Sequence, residues 1–533
     1  MSEQQRQYRD MTTTASWTLV SRVLGLFRDQ LMTATFGAGI VSSAFLLAFQ
    51  IPNLFRRLLG EGALTAALVP ALANKLTKEG RPAAFAFLNH VLRRVLPWMT
   101  GIALLGLGTA VGLSLTLDGQ GALAAELTAW CIPYMPLICA AALFTGALQL
   151  CGRFGLAEIA AGVLNLCLIT SLLWLGPWLS PSDLAGQARI LCIATVIGGI
   201  CQLLIPLIGL RKEGWQPKPA TADNQAWETL RNAFVPALLG AGVLQLNLLF
   251  SRLLAFGVDD KALTHYYVAN RVTELPVGLF SVSVAAVIFP ALATAFAQGD
   301  REALCRNYAR GSRLVMAINI GAAVAFAALA KPILELLFQY GRFNGDDVKS
   351  SSVLLVLFSA SMPFYALSAL TSRALNVIGR TDATLFAAMH ALGVNAVLSI
   401  LLTYTPGLNL NGANGLAIAN LVAAIWQLSV LKYYLRKAEP AFFAESLLKP
   451  LVQVLFGSFI LGAVAYNTNA WLHNHFWGQL PSKVLIFATM SASLAVACGL
   501  YAWILDQFGY PERDLIRGYI DKIAHVLWIK RRR

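Results

Sequence analysis

Arg22, Arg28 and Asp29 stand in an otherwise apolar stretch near 12–34, Arg56, Arg57 and Glu61 in a second near 40–74, and Arg271 and Glu274 in a third near 263–298. A charge at the centre of a bilayer costs at least about 3 kcal/mol, so residues of this kind face a bundle interior or a wet cavity and mark substrate or ion pathways. Arg22 lies roughly 15 Å into its stretch at 1.5 Å per residue, close to the midplane. Arg22 and Asp29 are seven apart, on one helix face with Gly25 between them, and Arg271 and Glu274 are three apart, close enough to pair. Pairing alone is the simpler reading for Arg57 and Glu61. It fails for the whole set, because Arg22, Arg28, Arg56, Arg57 and Arg271 outnumber Asp29, Glu61 and Glu274 five to three. Surplus guanidinium groups suit phosphate or pyrophosphate, since the planar fork makes bidentate, charge-assisted hydrogen bonds that an ammonium cannot. The chemistry these residues point to is anion handling inside a membrane.

The elements that must position them follow from composition. The chain has 533 residues, 57% hydrophobic and 13% charged, with a mean hydropathy of +0.62. Soluble domains carry about 25% charged residues, so a cytosolic enzyme is excluded. Runs of roughly 20 apolar residues, each enough for one crossing, predict an all-α polytopic protein of about fourteen spans. They lie near 12–34, 40–74, 91–117, 126–151, 155–176, 184–210, 228–257, 263–298, 306–338, 349–378, 383–405, 411–435, 446–471 and 481–508. Arg22 interrupts the first, which therefore reads as a retained span and not a cleaved signal. Alternate connectors are basic (Lys75, Lys78 and Arg81; Arg211, Lys212 and Lys218; Arg301, Arg306 and Arg310; Lys432, Arg436 and Lys437), while the others carry Asp118, Asp183, Asp259, Asp260, Asp346 and Asp347. This asymmetry puts both termini in the cytoplasm and accounts for much of the net charge of +14. The run Lys530 to Arg533 then reads as a membrane-surface anchor, and nucleic acid is set aside as a partner. Eight cysteines, mostly inside apolar runs and without a C-x-x-C pair, read as small buried hydrophobes.

Two halves are discernible. Phe36-Gly37 recurs as Phe256-Gly257 and Val69-Pro70-Ala71-Leu72 as Phe289-Pro290-Ala291-Leu292, both 220 positions on. An offset of six spans leaves the copies pointing the same way, as in parallel repeats about an axis along the membrane normal. The expected division is a first lobe at 1–210, a cytoplasmic linker at 211–227, a second lobe at 228–437, two further spans at 438–509 and a basic cytoplasmic tail at 510–533. Spans two and eight are too long for one straight crossing and are interrupted by Pro52, Gly60 and Gly62 and by Pro276, Gly278 and Pro290. Pro52, Gly60, Gly62 and Pro276 are the candidate hinges, because interrupted segments at matching places point to a transport site.

The segments Ser21-Arg22-Val23-Leu24-Gly25-Leu26-Phe27-Arg28-Asp29, Phe36-Gly37-Ala38-Gly39, Ile51-Pro52-Asn53-Leu54-Phe55-Arg56-Arg57 and Glu61-Gly62-Ala63 resemble the MurJ (MviN) family of bacterial lipid II flippases. So do Asn270-Arg271-Val272-Thr273-Glu274-Leu275-Pro276 and Leu337-Phe338-Gln339-Tyr340-Gly341-Arg342-Phe343. The resemblance implies the multidrug/oligosaccharidyl-lipid/polysaccharide exporter fold, with two six-helix lobes around a cationic cavity and two further helices whose groove takes a polyprenyl tail. It implies movement of the undecaprenyl-pyrophosphate-linked disaccharide-pentapeptide from the inner to the outer leaflet of the cytoplasmic membrane by alternating access. Carried over by motif, Arg22, Arg28, Arg56 and Arg271 contact the pyrophosphate, with Asp29, Glu61, Glu274 and Arg57 as gating or pairing groups. Membrane lipids and cell-wall synthesis proteins would be its other partners. Two positions depart from the family, which often has acids where Ser43 and Asn270 stand here, so gating contacts through those acids are in doubt.

No nucleophile, metal set, acid/base pair or Walker loop is discernible, so the sequence reads as a transporter that is not an enzyme and needs no cofactor. His473 and His475 lack an i,i+4 partner or a nearby acid for a metal. A coupling ion or the membrane potential supplies the energy, and the residues do not distinguish them. A drug/cation antiporter of the same superfold would want acids in place of the arginines. A non-transporting scaffold of the cell-wall machinery would tolerate loss of each arginine singly.

Overall fold

The computed structural model describes residues 3–60, 63–153, 155–218, 224–405, 410, 412–472, 475 and 483–514. Glu61, Gly62, His473 and most of the basic tail lie outside the described residues. Among those described the protein is all-helical, with no strand. Ten helices are long and apolar enough to cross a membrane, eleven with a pair bent by 41° at Ile132 and Pro133. The other three of the fourteen expected spans are segments one, two and eight, the ones that hold the intramembrane charges, and they too are helical.

Backbone contacts divide the chain into two compact units, Met1–Thr264 with Tyr340–Asn344, and His265–Gln339 with Gly345–Arg533. In the first unit the helices are α1 (Glu3–Phe36), α2 (Ile40–Phe55), α3 (Ala63–Glu79), α4 (Arg81–Thr116), α5 (Gly119–Cys131), α6 (Tyr134–Leu150), α7 (Gly155–Thr170), α8 (Gly176–Leu179), α9 (Leu184–Lys212) and α10 (Asn224–Phe256). A π-helical turn at Arg56–Gly60 follows directly on α2, so the long second segment departs from regular α-helix where Gly60 falls. Lipid offers no hydrophobic drive between helices, and close packing over small residues takes its place. In α9, Gly198 and Gly199 let Leu164 and Tyr134 come so near that a Cβ would sit 2.6 and 2.4 Å from their side chains. The expected boundary at 211–227 differs from the observed one: α10 packs on α3 and α2 and so belongs to the first unit.

The second unit continues through α11 (Ala262–Ala297), α12 (Arg301–Ala328), α13 (Ala330–Phe338), α14 (Gly345–Val377), α15 (Thr381–Tyr404), α16 (Asn414–Ala438), α17 (Leu448–Leu472) and α18 (Lys483–Gln507), with the start of α11 in the first unit. Here the two long segments differ: α11 runs unbroken through Pro276 and Pro290. At 36 residues it is about 54 Å long, enough to cross obliquely and extend beyond the membrane. Ile288, Leu292, Tyr308, Leu370, Leu431 and Leu435 anchor a core between α11, α12, α14 and α16. The two last spans are fastened to this core. Arg313 of α12 donates from Nε to Glu512 at 2.7 Å and also pairs with Glu445, and the Tyr501 hydroxyl donates to the Ala317 carbonyl at 2.8 Å.

Candidate functional site: arginines around the α2 break

The inward stripe of α1 is set by Gly25, Asp29, Met32, Thr33 and Phe36, all buried, while Val20, Val23 and Phe27 on the opposite side are 45%, 59% and 43% exposed. Arg22 precedes Asp29 by seven residues, which at 100° each bring it within about 20° of the same direction. Arg22 is nonetheless exposed. Arg22 thus starts from the same face of α1 as Asp29, at a level where that face is exposed. Among the described residues Arg22 makes no hydrogen bond or ion pair, and neither does Arg57. In a version of the chain with its native cysteines replaced, Arg22→Cys should react with a membrane-impermeant thiol reagent while Val23→Cys and Phe27→Cys do not. The reverse pattern would place Arg22 toward lipid.

Arg28 is held differently. Its Nε donates to Asp29 Oδ1 at 3.0 Å, its Nη2 bonds the same oxygen, and its Nη1 donates to Asn165 Oδ1 of α7 at 3.1 Å. The Asn165 amide donates in turn to the Ser21 carbonyl at 3.3 Å, so α7 fixes both the guanidinium and the backbone of α1 one residue before Arg22. The guanidinium carbon also lies 5.7 Å from the centre of the Phe49 ring, near enough for a cation–π attraction. Asp29 is 1% exposed. Arg28→Ala would take a hydrogen-bonded counter-charge away from this buried carboxylate and should destabilise the fold.

Phe49 opens a short polar stretch of α2. Gln50, 1% exposed, accepts a hydrogen bond from Arg252 of α10, itself 6% exposed. Asn53 accepts from Arg56 Nε at 2.7 Å. The π turn begins at Arg56, whose own N–H is shared between the Asn53 and Pro52 carbonyls. Such turns inside long helices are often found at functional sites, and this one sets Arg56 and Arg57 at the broken end of α2. On α1, α2 with its π turn, and the end of α10, the described intramembrane charges are thus Arg22, Arg28, Asp29, Arg56, Arg57 and Arg252, with Glu61 outside the described residues.

In the second unit Arg271 Nη1 donates to Glu274 Oε2 at 3.4 Å, and Asn270 Nδ2 donates to the other oxygen at 3.1 Å. The amide of Asn270 thus supports Glu274 where an acid would repel it. Pro276 is buried two residues on. The Ser43 hydroxyl donates to the Asp260 carbonyl at 2.8 Å and lies 3.1 Å from Thr264 Oγ1. A carboxylate there would face a carbonyl oxygen, so serine suits the position. Elsewhere in this unit His265 and Asp347 form a buried pair at 3.2 Å.

The structure brings together Arg271 with Glu274, as their spacing suggests, pairs Asp29 with the adjacent Arg28, which the spacing did not indicate, and leaves Arg22 apart from Asp29. Sequence reasoning missed Arg252, Asn165 and Gln50. Arg252 lies five residues from the end of its apolar segment and looks like a snorkelling terminus. Gln50 and Asn165 are single neutral amides, which apolar helices carry for many reasons. Among the described residues no group of three or more His, Cys, Asp or Glu could hold a metal ion.

Fold and charge together define a multi-pass helical membrane protein that carries arginines inside its apolar segments. Two solved structures share the fold: "Lipid II flippase MurJ, inward closed conformation" aligns at TM-score 0.74 and 21% identity, over 92% of this chain and 99% of that one. An inward-facing multidrug resistance MATE family transporter of the MOP superfamily aligns at 0.68 and 17%, over 82% and 99%. Residues 32–486 match the family described as lipid II flippase MurJ, and the chain belongs to that family. A probable lipid II flippase MurJ of Haemophilus influenzae is 28% identical over 86% of this chain and 93% of its own. One of Rhizobium meliloti is 27% identical over 98% of each.

Proposed function

We propose that the chain is a lipid II flippase, carrying the undecaprenyl-pyrophosphate-linked glycopeptide from the inner to the outer leaflet of the bacterial cytoplasmic membrane. Arg22 is the observation that carries this reading: a guanidinium on the Asp29 face of α1, exposed, and without an acid. An intramembrane guanidinium without an acid favours an anion, and a pyrophosphate offers the oxygens for several forked contacts. Arg28 and Arg56, oriented by Asp29, Asn165 and Asn53, supply further donors to the headgroup, and Arg271 supplies another from the second unit. Asp29, Glu274, Glu61 and Arg57 act as pairing groups that trade partners as the transporter alternates between inward and outward access. The π turn at Arg56–Gly60 with Pro52, and Pro276 in α11, are the places where helices bend during that cycle. Both termini are cytoplasmic, and the polyprenyl tail stays in lipid beside α17 and α18. The protein acts as a transporter without covalent chemistry of its own, alongside the cell-wall synthesis proteins that use its product.

The MATE-like alternative is favoured by fold alone, and the arginines carried inside the apolar segments, Arg22, Arg28, Arg56, Arg57 and Arg271, argue for an anionic cargo. In cells depleted of their resident flippase, expression of this chain should restore growth and return lipid-linked precursor to the outer leaflet, read by its susceptibility to an externally added degrading enzyme. Precursor that stays on the inner leaflet, with the chain present in the membrane, would overturn the proposal.

A further inference from the structure

A charged hollow lies in the second unit, at the opposite end of α11 from Arg271. It has a volume of about 470 Å³ and opens where α11 ends, α12 begins, α14 turns into α15 and α16 ends. This is within the range of about 300–1,000 Å³ usual for small-ligand sites. Its apolar floor is Phe296, Leu304 and Ile378, and Phe296 is 49% exposed. Its ionic rim is Arg301, Arg380 and Glu439.

The rim is only partly satisfied. Arg301 and Glu439 approach to 3.7 Å, an ion pair without a hydrogen bond, and neither side chain makes a hydrogen bond elsewhere among the described residues. Arg380 spends Nε and Nη2 on Asp382, at 3.0 Å each, which leaves Nη1 to point elsewhere. Asp300 is occupied as the N-cap of α12, accepting from the Ala303 N–H at 2.8 Å. The formal charges of Arg301 and Arg380 are more than offset by Glu439, Asp382 and Asp300, so a ligand of net negative charge gains little here. A ligand carrying both a phosphate and a hydrogen-bonding ammonium can use Arg301 and Arg380 for one end and Glu439 for the other. The hollow sits at the ends of spans where the basic connectors Arg301 to Arg310, Arg380 and Lys432 to Lys437 gather, which is the inner-leaflet headgroup level. Pockets between membrane helices at that level take lipid headgroups.

We infer that this hollow is a binding site for a zwitterionic phospholipid of the inner leaflet, an ethanolamine phospholipid, with the phosphate on Arg301 and Arg380, the ammonium on Glu439, and the glycerol end of the acyl chains over Phe296. The experiment is native mass spectrometry of the full-length chain exchanged into equal amounts of ethanolamine, choline and glycerol phospholipids. The ethanolamine lipid should be retained at least fivefold over the other two, because a trimethylammonium cannot donate a hydrogen bond to Glu439 and a glycerol headgroup lacks the cation. Glu439→Gln and Arg301→Gln should each remove that preference while thermal midpoint and yield stay unchanged, as expected of side chains without hydrogen bonds. Equal retention of the three lipids, or a preference that survives both substitutions, would overturn the assignment. So would stabilisation by soluble phosphoethanolamine as great as by the lipid, which would make the ligand a free metabolite.

Discussion

Arg22→Ala is expected to leave the chain folded and inserted, and to abolish rescue of flippase-depleted cells. The separation of the two effects follows from the site. Arg22 is exposed and makes no hydrogen bond or ion pair among the described residues, so its removal strands nothing. A charge-assisted hydrogen bond is worth about 1.5–3 kcal/mol, and each 1.4 kcal/mol is roughly a factor of ten. Losing a forked contact to a phosphate should therefore slow translocation by at least about tenfold, and by about a hundredfold if both bonds form only with the cargo. Arg22→Lys keeps the charge without the fork and should recover only part of the loss. Arg28→Ala gives the contrasting result, with activity and amount of folded protein falling together, because Asp29 is left buried. A scaffold would show no loss of translocation with Arg22→Ala. The checks are membrane levels of the protein, its thermal midpoint, and the leaflet distribution of the precursor.

Gly341→Ala should be the most destabilising single methyl in the chain's connectors. Gly341 has φ +55°, and a Cβ there would lie 2.3 Å from the Ala34 carbonyl oxygen, which also accepts the hydrogen bond from Arg342 N–H at 2.9 Å. Gly37 mirrors it, with φ +67° and a Cβ site 3.0 Å from the Arg342 carbonyl oxygen. The two glycines let the end of α1 and the turn at 340–344 lie backbone on backbone, and both belong to the first unit. The left-handed conformation alone costs an alanine about 1–2 kcal/mol. Gly379 isolates that term, since it has φ +78° with nothing within 4 Å of a Cβ. Gly379→Ala should lower the thermal midpoint slightly, and Gly341→Ala several times as much with loss of folded protein. Equal effects would mean that the close approach of the backbones contributes nothing.

These two glycines show how the sequence carries the fold. Phe36-Gly37 and Tyr340-Gly341-Arg342 are discernible as motifs, but their reason is a contact between segments some 300 residues apart, which no local pattern expresses. The fourteen helical segments were legible because a lipid-facing helix must be apolar over about 20 residues, and little else satisfies its backbone. The departure of segment two from regular α-helix falls at Arg56–Gly60, where the sequence carries Gly60. The continuity of α11 was not, because Pro276 and Pro290 read as interruptions although a helix can accommodate proline where neighbours satisfy the freed carbonyls. At the site, charge in an apolar run found Arg22, Arg28, Arg56 and Arg271 directly. Which of them are tied down was not discernible, because Asn165, Asn53 and Gln50 are neutral partners whose role depends on which helix faces which. Arg252 was hidden for the opposite reason: its place near the end of a span resembles an ordinary anchor, and only packing against Gln50 shows it to be buried.

The central claim is that Arg22 of α1, with Arg56 at the end of α2, holds the cargo by its pyrophosphate. Its most direct test is equilibrium binding of the purified chain to lipid II and to the same lipid with a single phosphate in place of the pyrophosphate. The wild-type chain should prefer the pyrophosphate form by at least about tenfold, the worth of one additional charge-assisted contact, and Arg22→Ala should bind both forms alike. Equal affinity of the wild-type chain for the two lipids, or a preference undiminished in Arg22→Ala, would contradict the account.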